Sequence, residues 1–320
     1  MNIVRSLGPA LFDRNSVVTV GTFDGVHRAH QEIIERIVTR ARELSGRSVV
    51  VTFDPHPKEV VRSAQGPVRL LTTLEERCER LGELGVDLTV VIPFTEEFSK
   101  LTAGEFYSTY LVRGTGLLEV IVGHDHMFGR DRQAGQDELQ RLGREQGFKV
   151  SVIPPLAVDG EVISSTRIRR ALSSGAVEKA GAMLGYPYRL SGTVVPGDGR
   201  GKSLGYPTAN LDVSGARKIV PARGVYAVEV LAGTVRGGGI ANIGVRPTVT
   251  DGTRETIEVH ILDTVADLYG LTVRMGFVGR LRNERKFAGP DELVAQLGDD
   301  ERRARALLGR AGRPRTKGNA

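Results

Sequence analysis

The sequence predicts two domains: an N-terminal α/β domain with a doubly wound parallel sheet, and a C-terminal small antiparallel β-barrel, or a sandwich of the same strands, with a last helix. Three observations lead to this prediction. The chain has 320 residues, which is too long for one typical domain. Apolar strand-like runs alternate with helical patterns up to about residue 185. Beyond that point the runs become short, alternating and broken by glycine, so we expect domains at 1–185 and 186–308 and a basic tail at 309–320.

In the first domain, strands and helices alternate along the chain. We expect strands at residues 17–20, 48–53, 88–94, 119–123 and 149–156, and helices at residues 27–44, 74–84, 104–112 and 137–146. Apolar strands separated by helices indicate a parallel sheet that is covered on both faces. Ligands of such sheets bind at the carboxyl ends of the strands, so the loops that follow the strands are the expected place of a site.

The second domain has the pattern of an all-β unit. We expect strands at residues 189–195, 224–231, 235–243, 256–262 and 271–281, because strands at this spacing with glycine turns suggest a small barrel or sandwich. A helical pattern covers residues 291–308. It is interrupted near residues 298–300, which suggests two short helices.

Composition is that of an ordinary globular protein. It is 40% hydrophobic and 26% charged, and no apolar run approaches the length of a membrane span. The N-terminus lacks the pattern of a secretory signal. Cys78 is the single cysteine and lies within a helical apolar pattern, so we expect it to be a small core residue. These features favour a reducing cytoplasm.

The net charge of +6 resides in the last helical turns and the tail. Residues 302–320 carry seven basic residues and no acidic one, which leaves −1 for the rest of the chain. We expect the tail to be disordered and solvated. This distribution argues against nucleic acid as a partner, no membrane association is expected, and the sequence leaves the oligomeric state open.

Two histidines stand at the start of the first predicted helix. His27 and His30 are three residues apart, so both rings can face one ligand. A helix N-terminus offers unpaired N–H groups and partial positive charge, so an anion placed there meets backbone donors and two imidazoles. Two other interpretations stay open. The residues are ordinary surface histidines, or they are a metal pair, for which no third ligand stands nearby at a recognisable zinc spacing.

Other strand-end segments carry polar groups to the same edge of the sheet. After the fifth strand comes the run Ile163-Ser164-Ser165-Thr166-Arg167-Ile168-Arg169-Arg170, in which hydroxyls and arginines suit phosphate oxygens. Loops at residues 53–57 and 123–129 add histidines and Asp125. The alternative is that residues 163–170 form an N-cap and a solvated basic helix, and that the two loops are common turns. Together the segments predict a crevice lined by imidazoles, a carboxylate and arginines.

The run Gly-Thr-Phe-Asp-Gly-Val-His-x-x-His at residues 21–30, with Ile-Ser-Ser-Thr-Arg-Ile-Arg at residues 163–169, resembles the nucleotidyltransferase half of the bacterial bifunctional riboflavin kinase and FAD synthetase family. The resemblance implies a Rossmann-like domain in which FMN phosphate attacks the α-phosphate of ATP, giving FAD and pyrophosphate. It implies that His27 and His30 stabilise the charge that develops on the α-phosphate. It also implies ATP and phosphate contacts by Gly21, Phe23, Asp125, Ser164, Thr166 and Arg167. The family usually has glycine where this chain has Ala29, and we expect adenylylation to survive this change.

A glycine-rich segment at residues 197–210 is the second strong signal. It looks like a P-loop, but Pro196 stands where the first glycine is required, and Pro207 interrupts the helix that should follow. Backbone N–H groups of such a loop can still wrap phosphates, and the oxygens of Thr and Asn suit magnesium. The alternative is a glycine-rich turn between two strands.

This segment contains Pro-Thr-Ala-Asn at residues 207–210. Together with the runs at residues 241–248 and 267–270, it is similar to the riboflavin kinase module of the same family. The resemblance implies that Thr208 and Asn210 bind Mg²⁺ and ATP phosphates, and that Glu258 accepts the proton of the ribityl 5′-hydroxyl. It places further phosphate contacts at Gly201, Lys202 and Gly205. In the alternative interpretation Glu258 is a solvent-facing residue of an alternating strand.

The two resemblances together predict a bifunctional enzyme. Riboflavin and ATP give FMN in the barrel, and FMN and ATP give FAD in the N-terminal domain, with Mg²⁺ in both steps. Two alternatives stand beside it. One is a chain that retains the riboflavin kinase activity alone. The other is a nucleotide-binding or nucleic-acid-binding protein that uses the basic tail.

Overall fold

The structure is a computed structural model that describes residues 1–8, 11–61, 68–127, 129, 135–197, 201, 205–247, 253–264 and 266–311. Contacts between residues divide the chain into two compact units, Met1–Ser165 and Thr166–Ala320. The domain boundary after residue 185 stays a prediction, because a compact unit and an independently folding domain are different properties.

In the first unit, strands and helices alternate along the chain. The strands are β1 (Asn2–Val4), β2 (Ser16–Val20), β3 (Arg47–Asp54), β4 (Leu88–Pro93), β5 (Leu117–Gly123), β6 (Lys149–Ile153), β7 (Ala157–Val158) and β8 (Glu161–Val162). The helices are α1 (Arg28–Glu43), α2 (Pro57–Val61), α3 (Leu74–Glu83), α4 (Glu96–Ser99), α5 (Ala103–Phe106), α6 (Arg113–Thr115) and α7 (Gln136–Gln146), with a π-helix at Tyr107–Val112.

The sheet of this unit is parallel and has the strand order β1-β4-β3-β2-β5-β6. The doubly wound parallel sheet is therefore confirmed. Strand β2 lies between β3 and β5, where the strand order reverses, and crevices for ligands open at the carboxyl end of such a switch point. The three-residue edge strand β1 was not predicted, because its pairing with β4 carries no local signal.

Burial explains why β2 and α1 form as the pattern predicts. Every residue of β2 is buried, since neighbouring strands and covering helices leave it no solvent face. Helix α1 buries an apolar stripe of Ile33, Ile34, Ile37, Val38 and Ala41. Each of the larger side chains stabilises the fold by roughly 1.5–3 kcal/mol. This packing fixes the direction in which α1 leaves the end of β2.

Helix α3 begins with a capping box. Thr73 accepts a hydrogen bond from the backbone of Glu76, whose carboxylate in turn accepts one from the backbone of Thr73. Cys78 is buried on this helix, as predicted, and burial raises the pKa of its thiol.

The second unit contains two helices followed by a barrel. The helices are α8 (Ser165–Ser173), whose first residue is counted with the first unit, and α9 (Val177–Leu184). The strands are β9 (Tyr188–Val195), β10 (Ala209–Asp212), β11 (Gly224–Ala232), β12 (Val235–Pro247), β13 (Thr253–Ile261) and β14 (Thr272–Arg282), with a 3₁₀ turn at Ser214–Ala216 and a last helix α10 (Pro290–Ala311).

The strands close into a barrel in the order β10-β13-β12-β11-β14-β9, with antiparallel neighbours throughout. The predicted barrel is confirmed, and the sandwich is not formed. Strand β10 was not predicted because it has only four residues of mixed polarity, yet it closes the barrel by pairing with both β9 and β13.

Helix α10 is continuous, so the prediction of two short helices is wrong. Asp300 stands in the middle of the helix, and its carboxylate is fully buried against Arg282, with Nη2 to Oδ2 at 2.8 Å. Ala304 is buried in the barrel-end cluster beside Leu307 and Leu308. The tail also begins later than predicted, because the helix includes residues 309–311. The predicted disorder of residues 312–320 lies outside the described residues.

None of the helices in the described part of the chain combines the length and the apolarity that crossing a bilayer requires.

Candidate active sites

The two histidines of the first site lie together where β2 meets α1. His27 is the N-cap residue of α1, and its Nδ1 accepts a hydrogen bond from the backbone N–H of His30 at 3.4 Å. The two rings stack, with centroids 3.6 Å apart and planes 15° from parallel. Ala29 lies between them in the helix and has no positive φ, so this position does not need the freedom of glycine.

The surroundings of His30 disfavour its charged form. Its Nδ1 is buried and has no hydrogen-bond partner among the described residues. The edge of the ring meets Phe23, with centroids 5.0 Å apart. Burial, followed by the positive charges of His27 and Arg77, lowers the pKa of His30 well below its ordinary value of 6.5. The ring is therefore neutral at pH 7, and its buried Nδ1 has no partner among the described residues.

A buried carboxylate holds the loop that carries the histidines. Asp24 is fully buried and accepts hydrogen bonds from the backbone N–H groups of Leu71 and Thr72 at 2.9 and 3.0 Å. The hydroxyl of Thr72 in turn accepts the N–H of Gly25 at 2.9 Å. Gly21, at the end of β2, leaves room for the ring of Phe23, which would lie 3.2 Å from a Cβ at that position. The loop is thus fixed from beneath.

Asp125 lies at the neighbouring strand end, as expected from the sheet order. A Cβ on Gly123, the last residue of β5, would lie 3.3 Å from Oδ1 of Asp125 and 3.4 Å from Cδ1 of Ile33 on α1. Asp125 is exposed. The structure therefore places this carboxylate and Ile33 of α1 close to the same glycine.

The loop after β5 is anchored by a buried tyrosine that sequence analysis missed. The hydroxyl of Tyr107 lies 3.1 Å from Nε2 of His126. Burial raises the pKa of Tyr107, so the phenol stays protonated and forms this hydrogen bond as a neutral group. Tyr107 begins the π-helix, a feature that often occurs at functional sites.

The remaining residues predicted for this site belong to the start of α8. Ser164 is half-buried just before the helix, and the hydroxyl of Ser165 donates to the backbone oxygen of Asp24 at 3.0 Å. Thr166 and Arg167 follow on the first turn, are exposed, and are counted with the second unit.

In the barrel, a row of three polar residues runs across adjacent strands. Glu258 on β13 pairs in register with Asn210 on β10 and with Asn242 on β12. The hydroxyl of Thr208 donates to Oε2 of Glu258 at 3.2 Å. Directly opposed residues of paired strands point to the same face, so a carboxylate flanked by two amides faces one side of the sheet. The alternative of an isolated solvent-facing glutamate does not describe this arrangement.

Glycines bring the loop before β10 against these groups. A Cβ on Gly197 would overlap the side-chain amide of Asn210, and a Cβ on Gly201 would overlap the carbonyl of Tyr206. Gly205 has a φ of 80°, in the left-handed region that favours glycine. Lys202 lies outside the described residues. The described glycines are therefore needed for close backbone approach, which a phosphate-wrapping loop requires.

The oxygen atoms around Glu258 fit a magnesium ion that is shared with phosphates. Thr208, Asn210 and Glu258 offer hard oxygen atoms, and Mg²⁺ is usually held by one or two protein oxygens together with water and phosphate. Among the described residues, no group of three or more His, Cys, Asp or Glu side chains could hold a metal ion by itself.

Three residues at the two sites were missed by sequence analysis. Asp24 and Tyr107 bind partners that are 47 and 19 residues away along the chain, so no local pattern shows their role. Asn242 was quoted only as part of a motif, and the register of β12 with β13 gives it its place beside Glu258.

The folds and sites together define a two-domain enzyme of nucleotide-dependent group transfer, with an anion site at a helix start in one unit and a carboxylate beside a glycine-rich loop in the other. Comparison with protein families supports this class. A family model described as FAD synthetase matches residues 10–167, and one described as riboflavin kinase matches residues 184–308.

Whole-chain relatives carry both halves. The bifunctional riboflavin kinase/FMN adenylyltransferase of Escherichia coli K12 is 40% identical over 294 residues, covering 92% of this chain and 93% of the relative. The Listeria monocytogenes protein of the same name is 37% identical over 296 residues, with the same coverages. The chain therefore belongs to the family of bifunctional riboflavin kinase/FMN adenylyltransferases.

A solved structure from Streptococcus pneumoniae has the same architecture. It is 35% identical, with a TM-score of 0.84 over 93% of this chain and 95% of that chain. It is described as a macrolide-efflux protein, an activity that neither family model names. We take from it the fold alone.

Proposed function

We propose that this chain makes FAD in two steps, phosphorylating riboflavin in the barrel and adenylylating FMN in the N-terminal unit. The comparisons support both activities rather than the kinase alone, and they imply riboflavin, FMN and ATP as substrates. The observation that carries the proposal is that the two family models match separate halves of the chain, and each half contains one of the two candidate sites.

In the adenylylation step, a phosphate oxygen of FMN attacks the α-phosphorus of ATP. A new P–O bond forms while the bond to pyrophosphate breaks. Negative charge grows on the oxygens of the α-phosphate, and we assign its stabilisation to the stacked imidazoles of His27 and His30 at the start of α1. The unpartnered Nδ1 of His30 fits this role, because a buried polar atom gains most from a ligand that satisfies it.

The residues around the histidines would hold the nucleotide. Gly21 and Phe23 shape the floor of the site, and Asp125 lies at the adjacent strand end. We assign Ser164, Thr166 and Arg167 to the departing phosphates, because hydroxyls, a guanidinium and the N–H groups of a helix start are strong donors to phosphate oxygens.

In the kinase step, the ribityl 5′-hydroxyl of riboflavin attacks the γ-phosphorus of ATP, and Glu258 accepts the proton of that hydroxyl. A new O–P bond forms while the bond between the γ-phosphorus and the bridging oxygen breaks, and ADP leaves. Asn210 and Asn242 flank the carboxylate, and Thr208 donates a hydrogen bond to it, so its orientation is fixed before the substrate arrives. We assign the phosphates of ATP to the backbone of Gly201 and Gly205 and to Lys202. Thr208 and Asn210 would hold Mg²⁺, which neutralises phosphate charge when bound.

The same proposal covers Mg²⁺ in the adenylylation step and a cytoplasmic location. ATP and flavins are cytoplasmic metabolites, and the buried, free Cys78 suits a reducing compartment. Neither step calls for a nucleic acid.

Product analysis of two variants tests the assignment of one reaction to each unit. The full-length enzyme is incubated with riboflavin, ATP and magnesium, and riboflavin, FMN and FAD are separated chromatographically. We expect His30→Ala to accumulate FMN without FAD, and Glu258→Ala to form no FMN from riboflavin while still converting added FMN to FAD.

The control is Glu255→Ala, an exposed glutamate on the same strand as Glu258, which should leave both steps unchanged. In each active-site variant, the retained reaction also reports that the rest of the chain is folded. Loss of the same step in His30→Ala and Glu258→Ala would show that the assignment is wrong.

A further inference from the structure

Arg77 is a buried cation without a carboxylate partner. It lies on the first turns of α3 and is 2% exposed. No carboxylate of the described residues lies within ion-pair distance of it, and its buried Nε has no hydrogen-bond partner there. A guanidinium stays charged in a protein, and burying a charge without a counter-charge costs free energy. Asp24, Asp54 and Glu75 favour the charge of Arg77 from beyond that distance, but burial outweighs them and lowers the pKa of Arg77. Stability alone therefore does not explain this side chain.

The hydrogen bonds that Arg77 does make lead to the histidine loop. Its Nη1 donates to Oγ1 of Thr52 at 2.9 Å and to the carbonyl of Phe53 at 3.2 Å, at the end of β3. The hydroxyl of Thr52 in turn donates a hydrogen bond to the carbonyl of Thr22 at 3.2 Å. Arg77 thus supports the first residues of the loop through one intervening hydroxyl.

Helix α3 is tied to the same loop at a second point. Leu71 and Thr72, just before the helix, bind the carboxylate of Asp24. The loop is consequently held on one side by the start of α3 and on the other by Arg77, one turn further along. A shift of α3 would move the loop with it.

The charge of Arg77 also reaches the site. The titratable and charged groups that act on His30 are His27, on its own helix, and Arg77, on α3. Both favour the neutral imidazole of His30. The same positive charge makes the site attractive to an anion, because a charge acts strongly over a region from which water is excluded.

We propose that Arg77 is a positioning residue of the adenylylation site, which holds the histidine loop through Thr52 and gives the site a positive potential that favours the triphosphate of ATP. This inference rests on the proposed function of His27 and His30. It accounts for a buried guanidinium whose charge is favoured only by carboxylates beyond ion-pair distance, chiefly Asp24, and whose Nε has no hydrogen-bond partner among the described residues.

Three full-length variants test it. Arg77→Met removes both the charge and the donors, Arg77→Lys keeps the charge and loses the planar fork, and Arg80→Met removes a charge from the same helix that pairs with Glu83 at 2.7 Å. The readouts are kcat and KM for ATP in FMN adenylylation, riboflavin kinase activity, and the pKa of His30 by NMR, with the resonance assigned by comparison with His30→Gln.

We expect Arg77→Met to lower kcat for adenylylation by about tenfold or more, to raise KM for ATP, to raise the pKa of His30, and to leave the kinase unchanged. Arg77→Lys should keep the pKa of His30 near that of the wild type while losing part of kcat, and Arg80→Met should match the wild type. Should Arg77→Met fail to fold, as judged by circular dichroism, Arg77→Gln, which also removes the charge, takes its place and is judged by the same two readouts.

Two results in Arg77→Met would overturn the inference: wild-type adenylylation, or lowered adenylylation with an unmoved pKa of His30, which would indicate a structural role alone. Failure of the proposed function gives a different result, because His30→Ala would then still make FAD whatever the Arg77 variants do.

Discussion

At the residue scale, the histidine loop contains backbone conformations that side chains rarely adopt. Phe23 has a φ of 47° and Val26 a φ of 34°, both in the left-handed region. This conformation costs about 1–3 kcal/mol for a non-glycine residue, and a β-branched residue is among the least suited to it. The loop keeps its shape because burial of both side chains and the bonds of Asp24 determine it more strongly than local preference. Such strain is characteristic of sites whose geometry is fixed before a ligand binds.

Asp24→Asn should loosen this loop. An amide oxygen at the Oδ1 position can still accept from Leu71 and Thr72, but the amide nitrogen then replaces Oδ2 and faces the N–H of Leu71 as a second donor. A buried donor without an acceptor costs about 1–3 kcal/mol. We expect a lower thermal midpoint by circular dichroism and slower FMN adenylylation, with riboflavin kinase unchanged.

Asp87→Asn is a matched control for this prediction. Asp87 accepts the N–H and the hydroxyl of Ser48 at 2.9 and 2.7 Å, at the opposite, amino edge of the sheet. It should lower stability without slowing adenylylation at temperatures where the protein is folded. Equal slowing in both variants would mean that activity follows overall stability and not the loop.

The lowered pKa of His30 predicts a pH dependence of stability. The unfolded chain has a histidine pKa of about 6.5, and the folded value is lower, so the unfolded chain binds more protons as pH falls through 6.5. Protonation therefore favours unfolding, and the stability contributed by neutral His30 is lost from pH 6.5 down to the folded pKa. We expect the thermal midpoint of the wild type to fall more steeply between about pH 7.5 and 5.5 than that of His30→Gln. Identical slopes would contradict this, and His124→Gln, an exposed histidine, should behave like the wild type.

The candidate residues that sequence revealed are those with a local signature. His27 and His30 are three apart on a helix, so their proximity follows from helix geometry alone. Asp24 and Arg77 act through partners on other elements, at Thr72 and Thr52, and only the folded chain brings these together. What the sequence could not predict at the first site was therefore the set of residues that supports the histidines.

At the element scale, long amphipathic segments were predictable and short or exceptional ones were not. Helix α1 and strands β2 and β3 follow their apolar periodicity because each buries a full face. Strand β10 has only four residues, which is too short to show a periodicity. The polar residues in the middle of α10 look like a break between two helices, but Asp300 is buried there in an ion pair with Arg282 and the helix continues. Polar residues inside a helix interrupt a pattern without interrupting the helix when a partner on another strand neutralises them.

Close packing of the glycine-rich loop on β10 gives an element-scale prediction. A methyl group on Gly197 would overlap the amide of Asn210, so Gly197→Ala must displace Asn210, the loop, or both. We expect riboflavin kinase activity to fall about tenfold or more, with a raised KM for ATP, while adenylylation of added FMN is unchanged. The two activities are measured separately on the same preparation.

Gly215→Ala is the control for this prediction. Gly215 lies in the 3₁₀ turn after β10, and a Cβ there meets no atom within 4 Å. It should leave the kinase at the wild-type level. A normal kinase in Gly197→Ala would mean that the contact between the loop and Asn210 is not required for ATP binding.

At the scale of the whole molecule, sequence order and strand order differ, and only some consequences of strand order can be predicted. The sheet order places β2 between β3 and β5, which no local pattern shows. The rule that ligands bind at the carboxyl ends of parallel strands nevertheless gave the correct edge for the histidines and Asp125. In the barrel, the row of Asn210, Glu258 and Asn242 depends on the register of three strands, so its members could be suspected singly but not as a row.

Helices α8 and α9 pack on the barrel, and this affects where the second domain begins. Helix α9 lies against β9 and β14. Glu178 accepts the backbone N–H of Arg280 through Oε1 at 2.7 Å, and Nη1 of Arg280 donates to the carbonyl of Ser174 at 3.0 Å. The N–H of Ala222 donates to the carbonyl of Leu172 at 3.0 Å. A barrel cut after residue 185 would lose all three bonds and the apolar contacts of α9.

We therefore expect the fragment of residues 166–311 to be a more stable riboflavin kinase than the fragment of residues 186–311. Each lost hydrogen bond contributes about 1 kcal/mol to the free energy of unfolding. Removal of α9 also exposes the barrel surface that Val177 and the other buried side chains of this helix cover, which costs about 1 kcal/mol more for each of them. For a domain of this size, the thermal midpoint should drop by about 10 °C or more. Circular dichroism melts and kinase assays on both fragments provide the measurement, with Glu178→Gln in the longer fragment as an intermediate case. Equal midpoints and equal activities would favour the boundary after residue 185, because the barrel would then fold without the two helices that the structure packs against it.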